Sequence, residues 1–91
     1  MSEVTGREHY DNQVLAGPGG VMTDEVGVIT GDLAVRTEVR DDQAHVAVRY
    51  LDAEEWYTLT GSPAPLAGHT GEEVHEAVLA AIQAGLPGGL A

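Results

Sequence analysis

The sequence predicts a small α+β domain in which an antiparallel β-meander of three to five strands packs against one C-terminal α-helix. Residues 33–60 contain segments in which apolar and polar side chains alternate, the period of two that a half-buried strand requires. Residues 70–85 instead repeat apolar side chains at helical spacing. A sheet with one apolar face and a helix with one apolar stripe can cover each other, which gives a two-layer domain.

The chain of 91 residues has the length of one domain with a small core. We expect residues 14–86 to form this domain. Residues 1–13 are polar, charged and without periodicity, so they are predicted to form a flexible N-terminal arm. Residues 87–91 are predicted to form a loose C-terminal tail.

The first part of the predicted domain contains short extended segments between turns. The Gly-Pro-Gly-Gly sequence at residues 17–20 interrupts regular structure. Residues 21–23 and 26–30 are rich in β-branched side chains and flank a turn at Asp24 and Glu25. The sequence leaves open whether residues 14–30 join the main sheet or cross it.

The clearest strands lie at residues 33–40, 44–51 and 56–60. The first two alternate, with the inward positions Leu33, Val35, Thr37 and Val39 followed by Val46, Val48 and Tyr50. The third is rich in aromatic and β-branched residues. Short polar segments join the three strands, which favours an antiparallel meander.

A helix is predicted at about residues 71–84. Thr70 and Glu73 match a capping box, in which each side chain accepts a hydrogen bond from the other residue's backbone N–H. Gly85 and Pro87 end the helix. The predicted apolar stripe consists of Val74, Ala77, Val78, Ala81 and Ile82.

The charge of the chain is strongly negative, since fifteen acidic residues stand against four arginines and no lysine, a formal charge of −11. Nucleic acid and anionic membrane surfaces are therefore not expected as partners, whereas a basic protein surface would be attracted. All four arginines precede residue 50. If Arg36, Arg40 and Arg49 cluster on the outer sheet face, the last turn and the helix form an unopposed acidic region.

No catalytic residue and no cofactor are predicted. The chain contains no cysteine, no nucleophile motif around its two serines and no phosphate-binding glycine motif. The N-terminus does not match a signal peptide, and no apolar stretch has the length of a membrane span, so we expect a cytoplasmic protein.

Aromatic and acidic residues occur together at the turn that precedes the third strand. An exposed tryptophan or tyrosine surrounded by carboxylates suits the recognition of arginine and lysine side chains. In the alternative interpretation these aromatic residues belong to the core. The leading hypothesis is a non-enzymatic interaction module, accessory, regulatory or inhibitor-like, that binds a basic protein through Asp52, Glu54, Glu55, Trp56 and Tyr57.

The alternative hypothesis is a domain that binds a small ligand or a divalent metal ion. Its candidate ligands are His69, Glu72, His75 and Glu76, because Glu72 and His75 are three residues apart and share a helix face. The ordinary interpretation is a capped helix with an exposed histidine. A homodimer formed through an unprotected sheet edge is compatible with either hypothesis.

Overall fold

The computed structural model describes residues 8–90; residues 1–7 and 91 lie outside the described part. Within residues 8–90 an antiparallel sheet and a hairpin accompany one helix, which confirms the predicted α+β class. The elements are β1 (Glu8–Leu15), β2 (Val21–Thr23), β3 (Gly27–Ile29), β4 (Asp32–Arg40), β5 (Gln43–Tyr50), β6 (Tyr57–Thr58), β7 (Ala64–Pro65) and α1 (Gly71–Ala84). The order in the main sheet is β1-β4-β5-β6, and β7 pairs with β5.

The centre of the sheet is the predicted hairpin of β4 and β5. Alternate residues are buried along most of both strands, as the period of two requires: Leu33, Val35, Thr37, Ala44, Val46 and Val48. At the strand ends the prediction is wrong, since Val39 is half-buried and Tyr50 is exposed. Asp41 and Asp42 join the strands with positive φ angles of 54° and 61°, a region that aspartate tolerates better than most residues. The third strand, β6, is shorter than predicted. The Leu59 N–H still donates to the Val46 carbonyl of β5, whereas the Thr60 N–H donates to the Met22 carbonyl of β2.

Residues 8–13, expected to form part of a flexible arm, instead lie in strand β1, which pairs with the whole of β4. Residues 8–13 lack an apolar period because three of the four inward side chains of β1 are polar, those of Glu8, Tyr10 and Asn12. Tyr10 and Asn12 contact His75 of the helix. The outward side chain of Asp11 pairs with Arg36 of β4. The part of the predicted arm at residues 1–7 lies outside the described residues.

Strands β2 and β3 form a separate hairpin that docks on the end of the main sheet. The Asp24 N–H donates to the Thr58 carbonyl at 3.0 Å, and the Met22 N–H donates to the Leu86 carbonyl at 2.9 Å. The predicted loose tail is also attached, since the Leu90 N–H donates to the Thr60 carbonyl at 2.7 Å and its side chain packs against the core.

Helix α1 begins and ends at the predicted residues, and both hydrogen bonds of the capping box are present. Its buried side is rotated relative to the predicted stripe and consists of Gly71, His75, Val78 and Ile82. Ala77 is exposed, and Val74 and Ala81 are half-buried. The rotation follows from His75, which has hydrogen-bonding partners on the inner sheet face.

The core lies between the inner sheet face and α1, and the β2–β3 hairpin closes one end. Its fully buried members include Val21, Leu33, Val48, Leu59 and Ile82. Outward positions of β4 and β5 carry charged or small side chains instead. The molecule therefore presents two different surfaces, the outer sheet face and the solvent side of α1.

Candidate functional site

Trp56, a predicted partner-binding residue, lies over two arginines of its own chain. The guanidinium carbons of Arg36 and Arg49 are each 5.0 Å from the centre of the Trp56 ring. Both are cation–π contacts. The indole is half-buried but does not belong to the core cluster. Thus the cations expected from a partner are supplied here by the protein itself.

The other predicted partner-binding residues are divided between the two sides of the sheet. Tyr57 pairs with Val48 and packs against the core. Asp52, Glu54 and Glu55 are exposed in the loop between β5 and β6, as expected for a turn. Asp52 and Glu54 line one cavity together with the two arginines beneath Trp56, so their negative charge is partly compensated.

The arginines of β4 and β5 lie on the outer sheet face. Arg36 Nε is 2.6 Å from Asp11 Oδ1, and Arg40 Nε is 3.5 Å from Glu38 Oε1. Arg49 Nη1 instead donates to three backbone carbonyls that follow it in the chain. These cations lie on the far side of the sheet from the helix. Residues 50–90 contain no lysine or arginine, so no cation of this segment compensates the acidic residues of the helix.

His75 is buried between α1 and the sheet, with 1% of its surface exposed. Its Nδ1 lies 2.7 Å from Thr37 Oγ1 and its Nε2 lies 2.8 Å from Asn12 Oδ1. The Asn12 oxygen is an acceptor, so this arrangement assigns the proton to Nε2 and makes the Thr37 hydroxyl the donor to Nδ1. Burial lowers the pKa of the imidazole because it penalises the charged form.

The four candidate metal ligands are not brought together. His75 faces the sheet and both of its ring nitrogens have partners, whereas His69 is exposed with Nδ1 3.5 Å from Glu73 Oε1. Glu72 and Glu76 lie on the solvent side of the helix. Across residues 8–90 no group of three or more histidines and acidic residues could hold a metal ion.

An apolar groove runs along α1 on the side of the helix that carries Val74, Ala77 and Ala81 of the predicted stripe. The cavity has a volume of about 600 Å³. It is lined by Ala64, His69, Glu73, Val74, Ala77, Val78, Ala81 and Leu90. The small side chains of the two alanines leave the space open. Sequence reasoning missed the groove because the same residues were assigned to the contact with the sheet.

One carboxylate, that of Glu73, lies on the rim of this groove at its N-terminal end. Glu72 and Glu76 are exposed on the same helix but do not line the groove. The hydrogen bond from the Thr70 N–H lowers the pKa of the Glu73 carboxyl, which is therefore ionised at neutral pH. The pKa of Tyr10, at the neighbouring sheet edge, is raised by its hydrogen bond to Glu8 and by the charges of Glu8 and Glu72.

No family model, curated protein or solved structure matches the chain. The helix within residues 8–90 does not have the length and apolar character needed to cross a membrane. The two features of the molecule that bear on its function are the geometry of the groove and the distribution of charge.

Proposed function

We propose that the protein is a non-enzymatic interaction module that binds a basic protein partner in the groove beside α1. The observation that carries this proposal is an open apolar groove of about 600 Å³ with a carboxylate on its rim. Apolar side chains that remain unpartnered in a concave surface are typical of a binding site. The partner would insert an apolar side chain between Val74, Ala77 and Leu90.

The charge of the partner follows from Glu73 on the rim of the groove and from the other acidic residues of α1. Glu72, Glu73 and Glu76 carry negative charge on one side of the helix, and no lysine or arginine occurs after residue 49. Such a field increases the rate at which a basic surface associates and repels an acidic one. The partner should therefore present lysine or arginine beside the apolar side chain that enters the groove.

The helix side fits a basic partner better than the loop predicted from the sequence. Arg36 and Arg49 lie against the same cavity as Asp52 and Glu54, and would repel an approaching cation. Trp56 already stacks on these arginines. The role of the loop acids in partner binding stays a prediction, and we place the principal contact at α1.

Two lysine substitutions on α1 test the proposal. Ala77→Lys puts a bulky cation into the groove, whereas Ala80→Lys makes the same charge change at an exposed position that does not line it. Tagged forms of both variants and of the unaltered protein would be used at low salt to capture proteins from a lysate of the source organism. Binding to the purified captured protein would then be measured by biolayer interferometry.

The proposal predicts a basic partner that dissociates as salt rises. A buried steric and charge clash of about 1.5–3 kcal/mol corresponds to roughly ten- to hundredfold weaker binding of Ala77→Lys. Ala80→Lys should bind within about threefold of the unaltered protein, since a surface charge contributes little. Equal affinities of the two variants would show that the groove is not the contact.

A further inference from the structure

We propose that the outer sheet face holds a second binding site, for a small carboxylate with an apolar body. The site is the cavity above Ala34, between Gln13 on one side and Arg49 and Trp56 on the other. It lies on the opposite face of the sheet from the groove beside α1 and does not depend on the proposed protein partner. The cavity has a volume of about 460 Å³, within the range of small-molecule sites.

The register of the sheet explains why a cavity forms at this position. Ala34 of β4 pairs with Gln13 of β1 and with Arg49 of β5, so the three side chains stand in one row on the outer face. The short alanine leaves a depression between two long neighbours. Trp56, which precedes β6, forms a wall of the same cavity together with Leu51.

Arg49 is the group that would bind the carboxylate. Its Nη1 donates to the carbonyls of Tyr50, Leu51 and Ala53 at 3.1, 3.1 and 2.8 Å, which fixes the guanidinium plane. Within residues 8–90 no carboxylate lies within salt-bridge distance of Arg49, and no acceptor there takes a hydrogen bond from its Nε or Nη2. A fixed guanidinium with free N–H groups matches the two oxygens of a carboxylate.

The neighbouring charges favour Arg49 over Arg36 as the anion-binding group. Arg36 Nε is already 2.6 Å from Asp11 Oδ1, so its charge is compensated. Asp11 also lines the cavity, but its carboxylate is the partner of Arg36. Asp52 and Glu54 line the neighbouring cavity together with Arg49 and form no ion pair with it. More distant acidic residues oppose an anion only weakly, because at physiological salt a field is screened over about 8 Å. Arg49 is therefore the cation of this cavity that has no carboxylate partner among the described residues.

The apolar walls define the rest of the ligand. The Trp56 ring is half-buried, and Leu51 has 39% of its surface exposed beside it. A ligand with a flat or aliphatic body would cover these surfaces while its carboxylate reaches Arg49. A bare anion would leave them in water and gain nothing from their burial.

Fluorescence can test the site directly, because Trp56 is the single tryptophan of the chain. Phenylacetate would be titrated at constant ionic strength, in parallel with phenylacetamide, acetate and inorganic phosphate. We expect a saturable change in emission with phenylacetate. Phenylacetamide should bind at least about tenfold more weakly, since a hydrogen bond to a charged group contributes about 1.5–3 kcal/mol. Phosphate binding as tight as that of phenylacetate would overturn the proposed ligand class.

Three variants separate this site from a general charge effect. Arg49→Gln removes the guanidinium, and Ala34→Leu fills the floor of the cavity without touching the turn that Arg49 holds. Both should weaken phenylacetate binding at least about tenfold. Arg40→Gln makes the same charge change on the same face outside the cavity, and its affinity should stay within about twofold.

Circular dichroism would first establish that each variant is folded. Unchanged binding by folded Ala34→Leu, or the absence of saturable binding by the unaltered protein, would overturn the proposal. Neither outcome affects the groove beside α1, because Ala34 lies on the other side of the sheet.

Discussion

At the scale of single residues, His75 determines how the helix lies on the sheet. The sequence places it among acidic residues of a helical first turn, where exposure is the ordinary expectation. Its partners Asn12 and Thr37 are 63 and 38 residues away in sequence, and only the pairing of β1 with β4 brings them together. A buried polar group of this kind has no local signal, so its position could not be predicted.

The free energy of unfolding should decrease as pH is lowered, because of His75. Burial lowers the pKa of this imidazole in the folded protein, so the unfolded chain, with a pKa of about 6.5, binds the proton first. The free energy of unfolding should be constant above about pH 7 and decrease as pH falls below 6.5 toward the folded-state pKa. Urea unfolding followed by Trp56 emission between pH 5 and 8 would measure this.

Two histidine variants provide the control for this pH dependence. His75→Leu removes the titrating group and should remove the slope, although it leaves Thr37 and Asn12 without their partner and costs about 1–3 kcal/mol. His69→Gln changes an exposed histidine and should keep the slope. A slope that persists in His75→Leu would contradict the assignment.

At the scale of elements, the structure agrees with the sequence where apolar periodicity was present and differs where it was not. In strands β4 and β5 buried side chains alternate with more exposed ones, and in the capped helix they recur at helical spacing. Strand β1 could not be identified by that criterion, since Tyr10 stacks on His75 and Asn12 hydrogen-bonds to it, and neither contact gives an apolar period. The groove was missed for a related reason, because an apolar stripe does not show which of its residues face the sheet.

Thr70→Ala should destabilise α1 at its beginning. The Thr70 hydroxyl accepts a hydrogen bond from the Glu73 N–H at 3.1 Å, and alanine cannot replace it. Loss of such a cap costs about 1 kcal/mol in free energy of unfolding. Urea unfolding would measure the loss, with Thr30→Ala, at an exposed threonine outside any helix, expected to change stability by less than about 0.5 kcal/mol.

Gly17→Ala should separate the end of α1 from the segment that precedes β2. A Cβ at residue 17 would lie 2.1 Å from the Gln83 carbonyl oxygen, and the Gly17 N–H donates to the Ile82 carbonyl. Backbone must move to relieve this overlap, which we expect to cost ~2 kcal/mol or more. Gly88→Ala meets no atom within 4 Å and should unfold like the unaltered protein. Equal midpoints would refute the close packing.

At the scale of the whole molecule, the charges are separated between two surfaces. The described arginines lie on the outer sheet face, where each is held by a carboxylate, a backbone carbonyl or Trp56. The exposed acids of α1 have no such cations beside them in residues 50–90. The net charge of −11 follows from the sequence, whereas the register of β4 and β5 is needed to show how the charges divide between two surfaces.

Added salt should stabilise the protein, because it screens the repulsion among these carboxylates. The thermal midpoint should rise between about 10 and 200 mM NaCl, over which the screening length falls from about 30 to below 10 Å. Asp41→Asn with Asp42→Asn removes two charges at positions of positive φ that asparagine tolerates. This double variant should be more stable at low salt and show a smaller salt effect; an unchanged salt effect would count against repulsion as the cause.

Nuclear magnetic resonance mapping of the contact with the partner is the most direct test of binding in the groove beside α1. The ¹⁵N-labelled protein would be titrated with the purified basic protein captured from lysate, and amide shifts would be followed along the chain. Binding in the groove predicts that the largest shifts occur at Val74, Ala77, Ala81 and Leu90. Shifts confined to residues 52–56, with the helix unaffected, would contradict the proposed contact and return the site to the loop.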